Sequence, residues 1–587
     1  MGIKYFFSWF KKNFNTNIKQ IPKTGKFTTH NVQIDNLLID MNGIIHTSAQ
    51  RIYRYGNFKP ETQPKRLLGN RQISAQPPPP PPMNEADKRI RLFHDVCVSI
   101  DALLASVEPN KRLILAIDGV APFSKCIQQR QRRFRSAIEN TTDIGFDTSS
   151  ITPGTEFMEN LSKYIDWYIR KNINGNEAWK HLEVIFSSSR SPGEGEHTLV
   201  NYIKNYGDLS ESFCITGVDA DLIMLALSTH APNMWILRED QYNIEFQYII
   251  DIKAARAQLL ELLRWTSEQY IFNERNAIDD FVFLFFMFGN DFLPNIPSIE
   301  IMNTGTETVI DIYKNVGIGY GHITTSSKNM IKFNKQSLKI LLGEIGIRDK
   351  ELLEAKLRRK NEFFPDLLLE NCATVDPTDR GRYILDIDKY RNEYILAHFP
   401  DEDISKVCHA YFQGLQWVIN YYSFKPPSWS WNYPFSYCPS AKILAEHIDT
   451  FTFPSFSENE PNLPFVQLLS VIPPKSANLL PAPLNLLLTD SESILKPYLP
   501  DLKDIVIDTS GVKNLWEAKT ILPIIDIELV KKAYANTIDR VHKDELKRNL
   551  AIFPLRYRYN AAQRDRVFRS PFGDITNYKL STQIIDL

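Results

Sequence analysis

The chain has 587 residues, 43% of them hydrophobic, 23% charged and 12% aromatic, a composition that excludes a wholly disordered or fibrous protein. At about 150 residues per domain it makes several units, with core enough to fold without disulfide or metal staples. Its 68 basic and 69 acidic residues leave a net charge of −1, which excludes a protein that coats polyanions or anionic membranes by bulk charge; any phosphate site must be local.

The amino end, MGIKYFFSWFKK, carries no secretory leader and reads as a helix with Phe6, Trp9 and Phe10 toward a core. NLLID at 36–40 reads as a strand. Residues 50–85 are polar and end in the prolines Pro77 to Pro82, which resist helix and sheet. That stretch is expected to be an exposed insertion, either a spacer or a ligand for a proline-reading domain. RIRLFHDVCVSIDALLASV reads as a helix, LILAID at 113–118 as a strand, and CIQQRQRRFRSAIE and YIDWYIRKNI as helices. LEVIFS at 182–187, FCITGVDAD at 213–221 and MWILRED at 234–240 read as further strands. Strands alternating with helices predict an α/β fold around a mostly parallel sheet covered on both faces. FVFLFFMF at 281–288 is far short of the roughly twenty residues that cross a bilayer. Helices dominate from 300 to about 420, and proline- and aromatic-rich segments follow. The cysteines form no Cys-x-x-Cys pair, so the expectation is a soluble intracellular protein in a reduced compartment, with no zinc module and no membrane contact.

Apolar strand candidates lead into carboxylates: Asp40, Asp118, the pair Glu194 and Glu196 in SPGEGEH, and the pair Asp219 and Asp221 in GVDAD. Asp291, in FGNDFLP, follows another apolar run. Any one of them could be a helix cap or turn former. As a set at the carboxyl ends of neighbouring strands they would crowd one cleft. Two unit charges about 4 Å apart repel by about 4 kcal/mol at an effective dielectric near 20, so something cationic must sit among them. Oxygen ligands without His or Cys suit Mg²⁺ or Mn²⁺, and two such ions suit in-line displacement at phosphorus.

Residues 121–137 hold Lys125, Arg130, Arg132, Arg133 and Arg135 and no acid, directly after Asp118. At helical spacing Lys125, Gln129, Arg132 and Arg133 share a broad face suited to a terminal phosphate, or simply to solvent. His46, Trp429 and Trp431 are rings that could stack on bases or fill a core. His197 is expected to support the site rather than ligate a hard ion.

The strings MGIKYFFSWF, LLIDMNGIIH, AIDGVAPFSKCIQQRQRRFRSA, ITPGTEFM, SPGEGEHTLVNYI, GVDADLIMLAL, DDFVFLFFMFGNDFLPNIPSIEI and SWSWNYPFSYCPSAKIL resemble, in order, the Xrn family of 5′→3′ exoribonucleases. The resemblance implies a PIN-like nuclease core over 1–300 and a mainly helical region over 301–587 that closes the active site. It implies metal roles for Asp40, Asp118, Glu194, Glu196, Asp219, Asp221 and Asp291, and a 5′-phosphate pocket of Lys125, Gln129, Arg132 and Arg133. It also implies base stacking between His46 and either Trp429 or Trp431. The substrate would be single-stranded RNA with a 5′ monophosphate, cut to nucleoside 5′-monophosphates with two Mg²⁺ or Mn²⁺ ions. Phe123 and Ser124 stand where the family usually has Arg and Ala, and Asn295 where it has His; none of these removes an implied metal ligand. The chain stops without the large carboxyl-terminal extension of the big cytoplasmic relatives, so docking attributed to that extension is not expected. A monomer is expected, and the lack of an obvious basic import cluster favours the cytoplasm over the nucleus. The competing readings are a structure-specific 5′ nuclease on DNA and a catalytically silent RNA-binding scaffold.

Overall fold

A computed structural model describes residues 2–58, 83–139, 145–240, 243, 245–302, 304–379, 381–457 and 459–586. The proline run therefore lies outside the described residues. The chain opens with α1 (Phe6–Asn13), β1 (Ile18–Pro22), β2 (Asn36–Asp40), α2 (Met41–Tyr53), α3 (Glu85–Val107), β3 (Arg112–Ala116) and α4 (Phe123–Glu139). It continues through α5 (Glu156–Gly175), α6 (Glu177–Lys180), β4 (Glu183–Ser187), α7 (Gly195–Tyr206), β5 (Phe213–Thr216) and α8 (Leu222–Ser228). Then come β6 (Met234–Glu239), β7 (Phe246–Asp251), α9 (Ile252–Leu263) and α10 (Glu274–Phe286). Because α2 runs to Tyr53, the expected insertion begins later than residue 50.

One nine-stranded sheet organises the molecule, in the order β1-β7-β6-β5-β2-β3-β4, followed by the strands Leu555–Tyr559 and Leu580–Ile584. The five inner strands β6, β5, β2, β3 and β4 are parallel. Both edges are antiparallel: β1 and β7 on one side, the two carboxyl-terminal strands on the other. The parallel core matches the expectation; the antiparallel edges were not anticipated. Apolar residues fill both faces of the inner strands, as a doubly covered parallel sheet requires. Leu38, Ile114, Ile185 and Ile215 face the layer of α1, α7, α8 and α10, where Phe6 and Trp9 pack on Phe281 and Phe285. Leu37, Ile39, Leu113, Leu115 and Val184 face α2, α3 and α5.

Besides adding those two strands, the second half of the chain packs helices onto this core. The helix Ile404–Ser423 packs against α8 and α10, and the helix Pro464–Val471 packs against α4. Phe123, Cys126 and Phe134 of α4 join Phe465, Leu468 and Leu469 in a separate apolar cluster, leaving the basic side of α4 away from that core. Among the described residues no helix is long and apolar enough to cross a membrane.

Candidate active site

The parallel register brings the carboxyl ends of β5, β2, β3 and β4 side by side, with Asp40 opposite Ala116 and Ala116 opposite Ser187. The strand order reverses between β5 and β2, where an open α/β sheet leaves its ligand crevice. Asp40 ends β2 and accepts the Asn42 backbone N–H at 3.2 Å. Asp118 follows β3 and accepts the Gly195 N–H at 2.6 Å and the Asn42 side-chain amide. Gly195 lets α7 start almost in contact with both acids: a Cβ there would lie 3.1 Å from Asp40 Oδ1 and 3.3 Å from Asp118 Oδ1. Glu194 and Glu196 flank that helix start, and Asp219 and Asp221 precede α8. Glu196, Asp219 and Asp221 each offer an oxygen within 4.8 Å of the others'.

Lys125 is a cation inside this crowd. Its Nζ lies 2.5 Å from Glu194 Oε2 and 2.9 Å from Asp291 Oδ2. Burial pulls its pKa down, but Asp291, Glu194 and their neighbours reverse that and hold it well above the ordinary lysine value. Burial likewise pushes the Asp291 carboxyl up, and Lys125 outweighs it, so Asp291 stays ionised. Burial and then like-charged neighbours raise Asp40 and Glu196 well above the usual carboxylate range, and Asp118 and Asp221 to about 6. One lysine does not neutralise the cluster.

The donor set fits a divalent cation. Glu196 Oε2 and Asp221 Oδ1 are buried with no hydrogen-bond partner among the described residues, and the ligand atoms are all carboxylate oxygens. Their raised pKa values give a sign for the metal-free protein. The folded state binds more protons than the unfolded one between about pH 4 and pH 6, so stability falls as pH rises through that window. A shift of this size is worth roughly 2–3 kcal/mol for one such carboxylate. The thermal midpoint in EDTA should therefore drop from pH 4.5 to pH 6.5 relative to that in millimolar Mg²⁺. Parallel curves would show that the acids are not strained by each other.

Two tyrosines at the end of the helix Ile404–Ser423 hold the acids in place. Tyr421 donates to Glu194 Oε1 at 2.8 Å, and Tyr422 donates to Asp221 Oδ2 at 3.1 Å. Tyr421 also stacks on His197 at 3.8 Å between ring centroids, and burial keeps that imidazole neutral. Lys204 of α7 closes the same helix end, donating to the carbonyls of Tyr422 and Ser423, each at 2.8 Å. Tyr422→Phe is expected to cost about tenfold in activity and to raise the Mg²⁺ concentration for half-maximal rate, the usual effect of losing a bond that orients a ligand. A Mg²⁺ titration of the initial rate checks this; an unchanged curve removes the role.

The basic side of α4 runs away from the acids. Gln129 Oε1 accepts from Gln467 Nε2 at 3.2 Å, and Gln467 Oε1 accepts the Ala121 N–H at 2.9 Å, which fixes the turn into α4. Arg132 is exposed. Arg133 is half-buried; its Nη1 has no partner among the described residues, and burial followed by Arg132 lowers its pKa to about 10. Such a guanidinium calls for an anion. Arg130 is buried instead, donating to the Ser470 carbonyl at 3.2 Å and to that of Tyr498, so it is structural. Burial, then Arg132 and Arg133, lower His46 to about 4, which puts a neutral ring beside the two arginines. Trp431 packs on buried Trp417 at 5.0 Å between centroids. Trp429 has no ring partner among the described residues, and its carbonyl accepts the Phe123 N–H at 2.8 Å at the start of α4.

Residues 1–240 match the family described as XRN 5′-3′ exonuclease N-terminus, and residues 271–379 and 380–566 match the Xrn1 helical domain. The chain belongs to the Xrn 5′-3′ exonuclease family. It is 28% identical to 5′-3′ exoribonuclease 1 of Saccharomyces cerevisiae, over 98% of this chain and 46% of that protein. It is 27% identical to the 5′-3′ exoribonuclease 2 homolog of Drosophila melanogaster, over 94% of this chain and 72% of that protein. It is 28% identical to 5′-3′ exoribonuclease 2 of Gallus gallus, over 94% and 71% respectively. The chain thus spans about half the length of the yeast relative.

In this Xrn chain Asp40, Asp118, Glu194, Glu196, Asp219, Asp221 and Asp291 form one electrostatically coupled group. Lys125 sits within the acids rather than beside Arg132 and Arg133. Sequence reading missed Tyr421, Tyr422, Lys204 and Gln467. NYYS resembles any aromatic helix end, and no local pattern says that its hydroxyls reach carboxylates two hundred residues earlier in the chain.

Proposed function

We propose that this chain is a 5′→3′ exoribonuclease that removes nucleoside 5′-monophosphates from single-stranded RNA bearing a 5′ monophosphate. The observation that carries the reading is the adjacency, through α4, of a buried carboxylate cluster to an anion-seeking arginine pair and a neutral ring. Glu196, Asp219 and Asp221 would hold the divalent cation, with Asp40, Asp118, Glu194 and Asp291 completing a site for two Mg²⁺ or Mn²⁺ ions. Such ions supply counter-charge and water activation for phosphodiester hydrolysis. Arg132 and Arg133, with Gln129, seat the terminal phosphate by forked, charge-assisted bonds. His46 and Trp429 are free to hold the first base by stacking. Lys125 bridges Glu194 and Asp291 and holds the Asp291 carboxyl ionised.

End-labelled RNAs that differ only in 5′ chemistry test this. The 5′-monophosphate RNA should yield mononucleotides with Mg²⁺ and none in EDTA, while 5′-hydroxyl, triphosphate and capped RNAs should resist. Arg132→Ala should erase the preference for monophosphate over hydroxyl ends, by about tenfold or more for the loss of charge-assisted contacts. An unchanged ratio removes the phosphate pocket. Cutting of branched DNA in place of RNA would make the protein a structure-specific DNA nuclease, and binding without cutting would make it a scaffold.

A further inference from the structure

A cavity of about 320 Å³ is lined in part by the amino-terminal segment. The backbone of Gly2 abuts Asp221, a Cβ there falling 2.6 Å from the Asp221 carboxyl carbon, while the next side chains along, Lys4 and Tyr5, line the cavity. Phe288 and Asn295, which bracket Asp291 in sequence, line it as well.

Its charges are unevenly spent. Glu517 accepts from the Tyr5 hydroxyl at 2.5 Å and from the Asn514 N–H at 2.9 Å. Asp508 accepts from the Tyr437 hydroxyl at 2.5 Å and from the Ser510 N–H at 2.9 Å. Lys356 takes up Glu300 and Asp366, at 3.2 and 3.8 Å. Three ammonium groups remain. Lys4 donates to the Glu517 carbonyl at 2.8 Å, Lys519 donates to the Ser436 carbonyl at 3.2 Å and lies 4.1 Å from the Tyr437 ring centroid, and Lys513 lies 5.7 Å from that of Tyr5. Among the described residues none of the three forms an ion pair. Burial, then repulsion from Lys4, lowers Lys519 to about 8, and burial lowers Lys4. Tyrosine rings at 390, 394 and 437 line it as well, and Glu300 and Asp366, paired with Lys356, supply acceptors in the same lining.

We propose that this cavity binds a nucleoside 5′-monophosphate, with the phosphate among Lys4, Lys513 and Lys519, the base against the tyrosine wall, and the sugar or base donors toward Glu300 and Asp366. The space suits one small molecule rather than a strand. The three ammoniums ask for a doubly charged anion, and the two carboxylates in the same lining disfavour a ligand that is anionic throughout. The identity of the ligand as the released mononucleotide rests on the proposed function; the site itself does not. A ligand here touches the segment that leans on Asp221, so the site is placed for feedback by product.

Calorimetric titration of the full chain in EDTA with AMP, adenosine and inorganic phosphate tests the proposal. AMP should bind, with adenosine and phosphate each weaker by about tenfold or more. Lys519→Met should weaken AMP by a similar factor. Lys513→Met, on a loop, should do so too while RNA degradation without added AMP stays unchanged. Arg133→Met removes any binding at the α4 phosphate pocket and should leave the lysine-dependent AMP binding intact. Absence of AMP binding overturns the proposal, as does binding lost in Arg133→Met but kept in the lysine variants, which would assign it to the α4 pocket. If AMP binds through the lysines but RNA is not degraded, the function proposed above fails and the cavity stands.

Discussion

Changing Asp219 and Asp221 together to alanine is expected to lower RNA degradation by about a thousandfold or more while leaving affinity for 5′-phosphorylated RNA unchanged or tighter. The two residues supply two of the three carboxylates whose oxygens lie within 4.8 Å of one another. Asp221 is also the acceptor of the Tyr422 hydroxyl, so its loss frees the end of the helix that carries both tyrosines. Binding should survive because Gln129, Arg132 and Arg133 lie on α4, held from the other side by the apolar cluster with Phe465 and Leu468. Removing two negative charges also lessens repulsion of the phosphate strand. Single-turnover degradation and a binding isotherm, measured on the same preparation, separate the two effects. Degradation that persists in the double variant would end the assignment of these acids to the chemistry.

Gly119→Ala is expected to abolish activity and destabilise the fold, although it adds one methyl group outside the acid cluster. A Cβ at this position would lie 1.6 Å from the carbonyl oxygen of Ser191, so one of two crossing backbones must move. They are tied by Gly119 N–H to Gly193 carbonyl and Gly193 N–H to Val120 carbonyl bonds, each 2.8 Å. The crossing fixes Asp118, one residue before it, relative to Glu194, one residue after Gly193. Overpacking of this kind costs about 1–3 kcal/mol or more, and displacing either carboxylate by an ångström is enough to lose the reaction. Gly343→Ala is the control: its Cβ would meet nothing within 4 Å in the helix Lys335–Leu357, so the melting temperature should hold or rise. A Gly119→Ala protein with parent activity would mean that this crossing does not set the site.

What could be read in the sequence was whatever a short window encodes. β2, β3, β4 and β5 are apolar runs that end at or near an acid, and parallel pairing then gathers those acids without further information. The α4 face was legible because its basic residues recur at helical spacing, although Arg130 turned inward and Lys125 joined the acids. The strands Leu555–Tyr559 and Leu580–Ile584 were not legible. LRYRY and LSTQI are polar edge segments, and what makes them strands is β4 itself, with Tyr557 opposite Val184. Trp429 and Trp431 look alike in SWSW; only packing separates the ring set on Trp417 from the one left over. Phe123 follows the same logic, since its burial depends on the distant helix Pro464–Val471.

The pairing of β4 with the strand Leu555–Tyr559 has a consequence for how such a protein is made. Every acid of the cluster has been added to the chain by residue 291, yet the edge of the sheet that carries two of them stays open until more than 250 further residues have been made. The carboxylates are thus all made well before the strand that covers this edge, and the sheet around them is completed only near the end of synthesis.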